Sequence, residues 1–461
     1  MTRTSKTIRA ALLVGVALGA AGPGMVRAET IESALAKAYG GNPQLNASRA
    51  NVRVTDENVP RALSGYRPRA SASGDVGLTG VDNRFGNGSW LNTKTFPRGV
   101  GVQVTQTLYN GGRTGNSVRQ ADAGVLQARE QMRVSEQAVL LDGATAYMDV
   151  LRDTAILNLR NNNIDVLEEQ LRQTRDRFSV GEVTRTDVAQ AEARLAQARS
   201  DASAAAGNLK SSLARYRQVI GVEAKQLAPA KALDAVLPKT LDQAVLLSQQ
   251  EHPSVLAALH AVDAAELQVK LVEGELLPSV GLAGTLTHRW DANQSNLEQN
   301  SATISGTLSV PIYEGGEVYA RVRQSKETLS QRRIEADQAR DVVRQNTVSA
   351  WGQLEATRER ITASQAQIQA SEIALNGVRE EAKVGQRTTL DVLNAQQDLL
   401  TARVALVTAQ RDRVVASYAL LSASGRLSAT NLRLAVQEYQ PKVHYEQVRD
   451  KWIGLRTPDG Q

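Results

Sequence analysis

The 461-residue chain contains no cysteine. That excludes disulfides and excludes a lipid carried on an N-terminal Cys. Phenylalanine occurs three times, and aromatic residues make up only 4% of the chain. A large core built on aromatic packing is therefore not available, whereas the abundant Ala, Gln and Arg suit extended helices with thin Ala-rich seams. Four histidines are scattered without metal-ligand spacing. No nucleophile–base set and no G-x-G-x-x-G or G-K-[ST] phosphate loop occurs, so the expectation is no enzyme, no cofactor and no metal. After residue 28 no stretch approaches the roughly 20 apolar residues of a membrane helix.

The basic balance is local. Arg3, Lys6 and Arg9 precede the apolar run Ala10–Ala21, and Val26-Arg27-Ala28 offers a small residue for cleavage. Residues 1–28 read as a signal peptide, the alternative being a buried N-terminal helix. They hold four basic and no acidic side chains, so removing them lowers the formal charge from +6 to +2. No basic stripe with interleaved aromatics is present, and nucleic acid is not an expected partner.

What is present is a duplication. At an offset of 210, Thr30-Ile31-Glu32 resembles Thr240-Leu241-Asp242, Asn42-Pro43 matches His252-Pro253, and Tyr66-Arg67-Pro68 matches Leu276-Leu277-Pro278. At an offset of 204, Tyr109 and Gly111-Gly112 match Tyr313 and Gly315-Gly316, Val180-Gly181 matches Val384-Gly385, and Asp187-Val188 matches Asp391-Val392. The expected organisation is a first repeat over 29–239, a second over 240–440 and a polar, partly disordered tail over 441–461. Each repeat should hold a helix, a β-hairpin (69–109 or 279–313) and a long helical hairpin (115–220 or 318–424). In the hairpins, strands at 69–81 and 279–290 are joined by polar loops 82–97 and 291–301 to strands at 98–109 and 302–313. Gly111, Gly112, Gly315 and Gly316 are the hinges where strand becomes helix.

The strands alternate. Val100, Val102, Val104 and Leu108 oppose Gln103, Thr105 and Thr107, and Ile304 and Leu308 oppose Thr303, Ser305, Thr307 and Ser309. Phe85, Trp90, Phe96 and Trp290 sit at the loop end, with Tyr66, Tyr109 and Tyr313 at the helix end. Two-faced strands of about 10 residues between aromatic girdles fit a transmembrane β-barrel, the alternative being a half-buried soluble sheet. Four strands cannot close in lipid, so the barrel must be shared between copies. Two copies would give eight strands, and three would give twelve with room for a channel. In the helices, Val188, Ala191, Leu195, Ala198, Ala202 and Ala205 form a coiled-coil seam, and Val392, Ala395, Leu399, Ala402, Leu406 and Ala409 repeat it.

The motifs LYNGGR and PIYEGG at the hinges, with FSVGEVTRTDVAQA and AKVGQRTTLDVLNA at the helical turns, resemble the outer-membrane efflux protein (TolC) family over nearly the whole chain after residue 28. Without a lipid-bearing Cys, the chain is similar to the type I secretion branch. The resemblance implies a mainly α protein with a transmembrane β-barrel portion. It implies a homotrimer with a twelve-stranded β-barrel in outer-membrane lipid, continued by a long periplasmic α-helical barrel. It also implies a periplasmic adaptor (membrane fusion) protein and an inner-membrane pump as partners.

The resemblance places a periplasmic gate at the two turns, Gly181 to Thr184 and Gly385 to Thr388. Asp187 falls at the family's acidic latch position, Arg387 at its basic partner, and Asp391 at a carboxylate ringing the constriction. Ala382 and Asn394 depart from the family's tyrosine and second ring carboxylate, which implies a less tightly held mouth. Three symmetry-related Asp391 carboxylates would repel and raise their pKa. Thr184-x-x-Asp187 and Thr388-x-x-Asp391 equally fit helix-capping boxes, and Arg387 and Asp391 fit an ordinary (i, i+4) pair. The competing function is a trimeric coiled-coil tether or adhesin embedded in the outer membrane, which would need no polar lumen.

Overall fold

The computed structural model describes residues 28–84, 86–292, 296–458 and 460. The expected signal peptide up to Arg27, and Phe85 of the outer girdle, lie outside the described residues. Helices α1 (Ile31–Gly41), α2 (Pro43–Asp56) and α3 (Asn58–Leu63) open the first repeat. Strands β1 (Arg69–Val76), β2 (Thr79–Arg84), β3 (Trp90–Thr95) and β4 (Arg98–Asn110) follow, then α4 (Arg113–Ser179) and α5 (Arg185–Ile220). The second repeat holds α6 (Leu241–Glu251), α7 (Pro253–Glu273), β5 (Ser279–Trp290), β6 (Glu298–Ser309), α8 (Glu317–Lys383) and α9 (Thr389–Ala423). A last helix, α10, spans Pro441–Val448.

The same start signals recur at equivalent places. Thr30 and Thr240 cap α1 and α6 through their hydroxyls. Asn42 and His252 end those helices and cap the next, with Pro at the first helical position where no N–H is needed. Helices α4 and α8 each run 67 residues, on the order of 100 Å at about 1.5 Å per residue. Beside α4 lie α1, α2 and α3 at one level and α5 below. On the other side α7 bridges α4 to α8, and α9 does the same below it. The result is a wall of rods ordered α5, α4, α9, α8, with the strands at its upper end.

The main core is a belt around the middle of α4. Leu140, Ala144 and Tyr147 pack there with Leu35, Ala38, Leu45 and Val52 from the first helices, Tyr216 and Ile220 from α5, and Tyr418 and Leu421 from α9. The Tyr147 hydroxyl lies 2.7 Å from the Glu29 carbonyl and 2.6 Å from that of Ala228. It thus ties the first described residues to the connector between repeats. Below the belt, Ala191, Ala198, Ala202, Ala205, Ala402 and Ala409 of the expected seams are buried, and Ala395 is partly buried.

Three features differ from the sequence reading. Part of the first polar loop is itself a hairpin, β2 paired with β3 from Thr79↔Thr95 to Arg84↔Trp90. Strand β6 starts at Glu298 and ends at Ser309, four residues earlier than expected at each end. Pairing with all of β5 draws the polar residues Glu298–Ser301 into the ladder, while Pro311, lacking an N–H, lies beyond it. The tail is ordered where α10 docks on α2. His444 Nδ1 lies 3.0 Å from Asp56 Oδ2, a carboxylate with no exposure whose pKa burial pushes up despite that ring.

His252 Nδ1 accepts the Ser254 N–H at 3.1 Å, which requires the unprotonated nitrogen. Burial first, and the nearby Arg133 charge second, depress its pKa to about 4. The unfolded chain therefore binds a proton between pH ~6.5 and 4 that the folded chain does not. This contribution to stability is complete above pH ~6.5 and is lost as pH falls toward 4. His252→Asn installs the cap that Asn42 supplies in the first repeat. Thermal midpoints at pH 7 and pH 5 should then converge relative to the parent, and an unchanged gap would exclude His252 as the group responsible.

Candidate functional site

The four-stranded sheet runs β1-β4-β5-β6, antiparallel throughout, with β1 and β6 as free edges. Its register sorts the side chains. Ala72, Val102, Leu286 and Ala302 align on one face, as do Ala70, Val104, Gly284 and Ile304. Ser71, Gln103, Thr285 and Thr303 align on the other, followed by Ser73, Gly101, Thr287 and Ser301. The polar face also carries Asp75 and Arg289, whose carboxylate and guanidinium lie 3.3 Å apart across Gly99. A Cβ at Gly99 would approach Arg289 Cγ to 3.0 Å, so the glycine makes room for the pair. One face suits lipid and the other suits water. A bulge after Thr107 makes Tyr109, not Leu108, the partner of Val280 on the apolar face. Residue alternation alone had assigned Leu108 there.

At the hinges the backbone is left-handed twice in succession. Gly111 and Gly112 have φ of +67° and +72°, and Gly315 and Gly316 have +64° and +85°. Gly112 and Gly316 then precede α4 and α8. Gly111 carries a second constraint, because its missing Cβ would sit 2.2 Å from the Gly274 carbonyl oxygen. The other three glycines have no neighbour within 4 Å of that position.

The helical tips are built alike. Gly181 and Gly385 take φ of +81° and +79° after α4 and α8. Thr184 and Thr388 then start α5 and α9 with complete capping boxes. The Asp187 carboxylate accepts the Thr184 N–H at 2.9 Å and its hydroxyl at 2.7 Å. Asp391 accepts the Thr388 N–H at 2.9 Å and its hydroxyl at 2.9 Å. These bonds, then the Arg387 charge, hold Asp391 below the usual carboxylate range. Within one chain the cap's donors therefore shift Asp391 in the direction opposite to that expected from a ring of carboxylates.

The structure does not join Asp187 to Arg387 within the chain. Arg387 Nε instead donates to Glu381 at 2.9 Å, which raises its pKa further. The first tip has the equivalent loop-closing pair with the signs exchanged, Arg177 to Glu182 at 3.0 Å. Asn394 accepts from Arg194 at 2.8 Å, linking α9 to α5 close to the helical tips. Leu393 packs into Leu167, Leu171, Leu195 and Ala198 beside it. Farther up, Arg411 binds Asp149 at 2.8 Å between α9 and α4. The sequence reading singled out neither Arg194 nor the Arg411–Asp149 pair, since partners 200 and 262 positions apart leave no local pattern. Among the described residues, no group of three His, Asp or Glu side chains is arranged to hold a metal. No helix of the described residues is long and apolar enough to cross a membrane.

Comparison with known proteins matches residues 34–222 and 245–426 to a family described as outer membrane efflux protein. The outer membrane efflux protein BepC of Brucella suis biovar 1 is 45% identical over 436 residues, 94% of this chain and 93% of that protein. The outer membrane protein TolC of Escherichia coli K12 is 25% identical over 438 residues, 91% of this chain and 87% of that one. Among solved structures, the Campylobacter jejuni CmeC outer membrane channel superposes with a TM-score of 0.78 at 16% identity, covering 91% of this chain and 89% of that one.

The hinge makes two demands that substitution can separate. Gly112→Ala places a side chain in a left-handed conformation without contact and should cost about 1–2 kcal/mol. Gly111→Ala adds a clash with the Gly274 backbone, worth roughly 1–3 kcal/mol more. Unfolding midpoints of the two purified variants should therefore fall in that order, and equal losses would remove the close approach as a constraint.

Proposed function

The chain belongs to the outer membrane efflux protein family, and from that premise we propose how it works as a duct. It is an outer-membrane channel of the class used in tripartite efflux and type I secretion, with a helical extension into the periplasm. In our reading three copies close a twelve-stranded barrel, and their helical walls continue it as one tube. The channel is passive and not an enzyme, joined to a periplasmic adaptor and an inner-membrane pump that selects the cargo. The observation that carries this reading is the two-faced sheet with free edges at β1 and β6. In lipid those edges must pair, and only other copies of the sheet supply matching strands. Helix α8 supports the same conclusion. Tyr319, Ile334, Val348 and Ile373 lie exposed on one side of it, away from any partner in the chain. At about 100° per residue they share one stripe, as a seam against a neighbouring copy would require. A tether would have no use for the serine, threonine and glutamine face of the strands.

The periplasmic mouth, in this reading, is formed by the tips carrying Asp187, Arg387 and Asp391. Asp187 and Arg387 meet between copies, with Glu381 as the competing partner that receives Arg387 when the mouth opens. The capping role of Asp187 is compatible with this, because the cap fixes the carboxylate that the neighbour's arginine would meet.

Single-channel conductance in a planar bilayer tests the proposal. Asp187→Asn keeps an acceptor for the cap and removes the charge, and it should raise the resting conductance several-fold, as should Arg387→Ala. Thr184→Ala removes the hydroxyl from the cap but keeps the backbone N–H that holds the Asp187 carboxylate, and it keeps the charge, so conductance should stay near the parent value. A rise in Thr184→Ala alone would assign closure to the cap, and no change in either charge variant would remove the latch.

A further inference from the structure

After α10 the chain does not trail away but forms a closed loop at the level where the barrel begins. The helix fixes its start. Val448 is fully buried, and the Tyr445 hydroxyl donates to Asp122 of α4 at 2.8 Å. The loop is then clamped twice. Arg67, two residues before β1, donates to the Lys451 carbonyl at 2.8 Å, and its guanidinium lies 4.6 Å from the Trp452 ring centre. Lys451 Nζ donates to the Arg456 carbonyl at 2.6 Å, closing the loop on itself. Gly454, with φ of +119°, makes the turn at its tip.

What this loop displays is apolar. Trp452 is 66% exposed, Ile453 89% and Leu455 completely. A loop held by three polar contacts that nevertheless presents a tryptophan and two aliphatics to solvent requires an apolar surrounding. Its position identifies which one. Tyr66 lies next to Arg67 and is exposed, and its carbonyl accepts from Gln106 on β4. Tyr109 and Leu277 are exposed beside the same strand ends. The loop is thus continuous with the aromatic belt at the helix end of the lipid-facing sheet. Tryptophan flanked by Arg449, Lys451 and Arg456 has the composition of a membrane interface, where rings lie among headgroups and cations meet lipid phosphate.

We propose that residues Lys451–Arg456 form an interfacial anchor that inserts Trp452, Ile453 and Leu455 into the periplasmic leaflet of the outer membrane, binding phospholipid from the helical side of the barrel. The anchor supplies by protein side chains what a lipid on an N-terminal cysteine would supply, in a chain that has no cysteine. Through α10 and Arg67 it couples the leaflet to α2, α4 and the start of β1, and so fixes the height of the tube against the membrane. The inference rests on the outer-membrane placement of the strands.

The absence of cysteine makes the test direct. Ile453→Cys, Leu455→Cys, Ile304→Cys and Val443→Cys are spin-labelled one at a time in the full-length protein. Each is reconstituted in vesicles of phosphatidylethanolamine and phosphatidylglycerol, and relaxation by oxygen is compared with relaxation by a water-soluble nickel chelate. Labels at 453 and 455 should favour oxygen, in the same sense as position 304 on the apolar face of β6 but less strongly, whereas 443 on α10 should favour the chelate. Chelate preference at 453 and 455 with oxygen preference at 304 would overturn the anchor and leave the barrel reading intact. Protection from both reagents at 453 and 455 would assign the loop to a protein contact, which also overturns it. Chelate preference at 304 as well would overturn the membrane placement itself.

Discussion

The structure depends on one constraint: a backbone N–H or C=O in hydrocarbon must have a partner, and this sheet has two edges without one. β1 and β6 cannot be capped by side chains over their length, nor can four strands curl far enough to meet. Closure has to come from outside the chain. The rest of the architecture follows from making that closure cooperative. One glycine pair turns β4 directly into α4 and the other starts α8 a few residues after β6, so barrel and helical wall are placed by the same neighbours. The exposed stripe on α8 puts a second unsatisfied edge below the first, and burying it orders the strand edges above. A chain that folded its helices without its strands, or the reverse, would leave one of these edges open.

The belt core around Tyr147 addresses a different difficulty. Rods on the order of 100 Å with Ala-rich seams have little lateral stiffness, because each contact buries little apolar area. Packing α1, α2, α5, α9 and the inter-repeat connector around one stretch of α4 gives the wall a rigid waist. Above it the helices are bound to the hinges. Below it the two hairpins are joined by polar links such as Arg194 to Asn394 and by small clusters such as that of Leu393, while ion pairs such as Arg160–Asp201 and Arg403–Glu372 tie the helices within each hairpin. Contacts of this kind have alternatives nearby, as Arg387 has in Glu381 and in any acidic group of a neighbouring copy. The tips are accordingly where the molecule can rearrange at least cost.

Much of this was legible in the sequence, because it was written in local chemistry. Gly-Gly requires positive φ, Thr-x-x-Asp forms a cap, Asn-Pro and His-Pro restart a helix, and alternation of valine with threonine makes a two-faced strand. The 3,4 spacing of alanine and leucine marks the seams. What stayed hidden needed geometry that local pattern does not encode. The bulge that hands the apolar face from Leu108 to Tyr109 reflects the pairing with β5, not the composition of β4. The β2–β3 hairpin is formed by residues as polar as any loop. The polar tail docks through a buried Asp56–His444 contact made across 388 positions. At the helical tips, the sequence marked Asp187, Arg387 and Asp391, but not that Arg387 would bind Glu381 within its own chain.

The duplication also explains why association should be a ring. The wall ends in α5 on one side and α8 on the other, helices from different places in the repeat plan. The repeats themselves are not equivalent. On α4 lie α1, α2 and α3, with α10 docked on α2, whereas α8 carries α6 and α7 and exposes its stripe. One end of the wall is therefore unlike the other, and in the proposed ring copies meet head to tail, β6 of one beside β1 of the next. Head-to-tail contacts either close or run on as filaments. The strands decide between these outcomes, because their tilt and twist give the sheet a curvature that a barrel completes. Eight strands would fill their interior with side chains, whereas the serine, threonine, glutamine, aspartate and arginine of the polar face call for water. Twelve strands provide that space, which is why the proposed assembly has three copies of four strands.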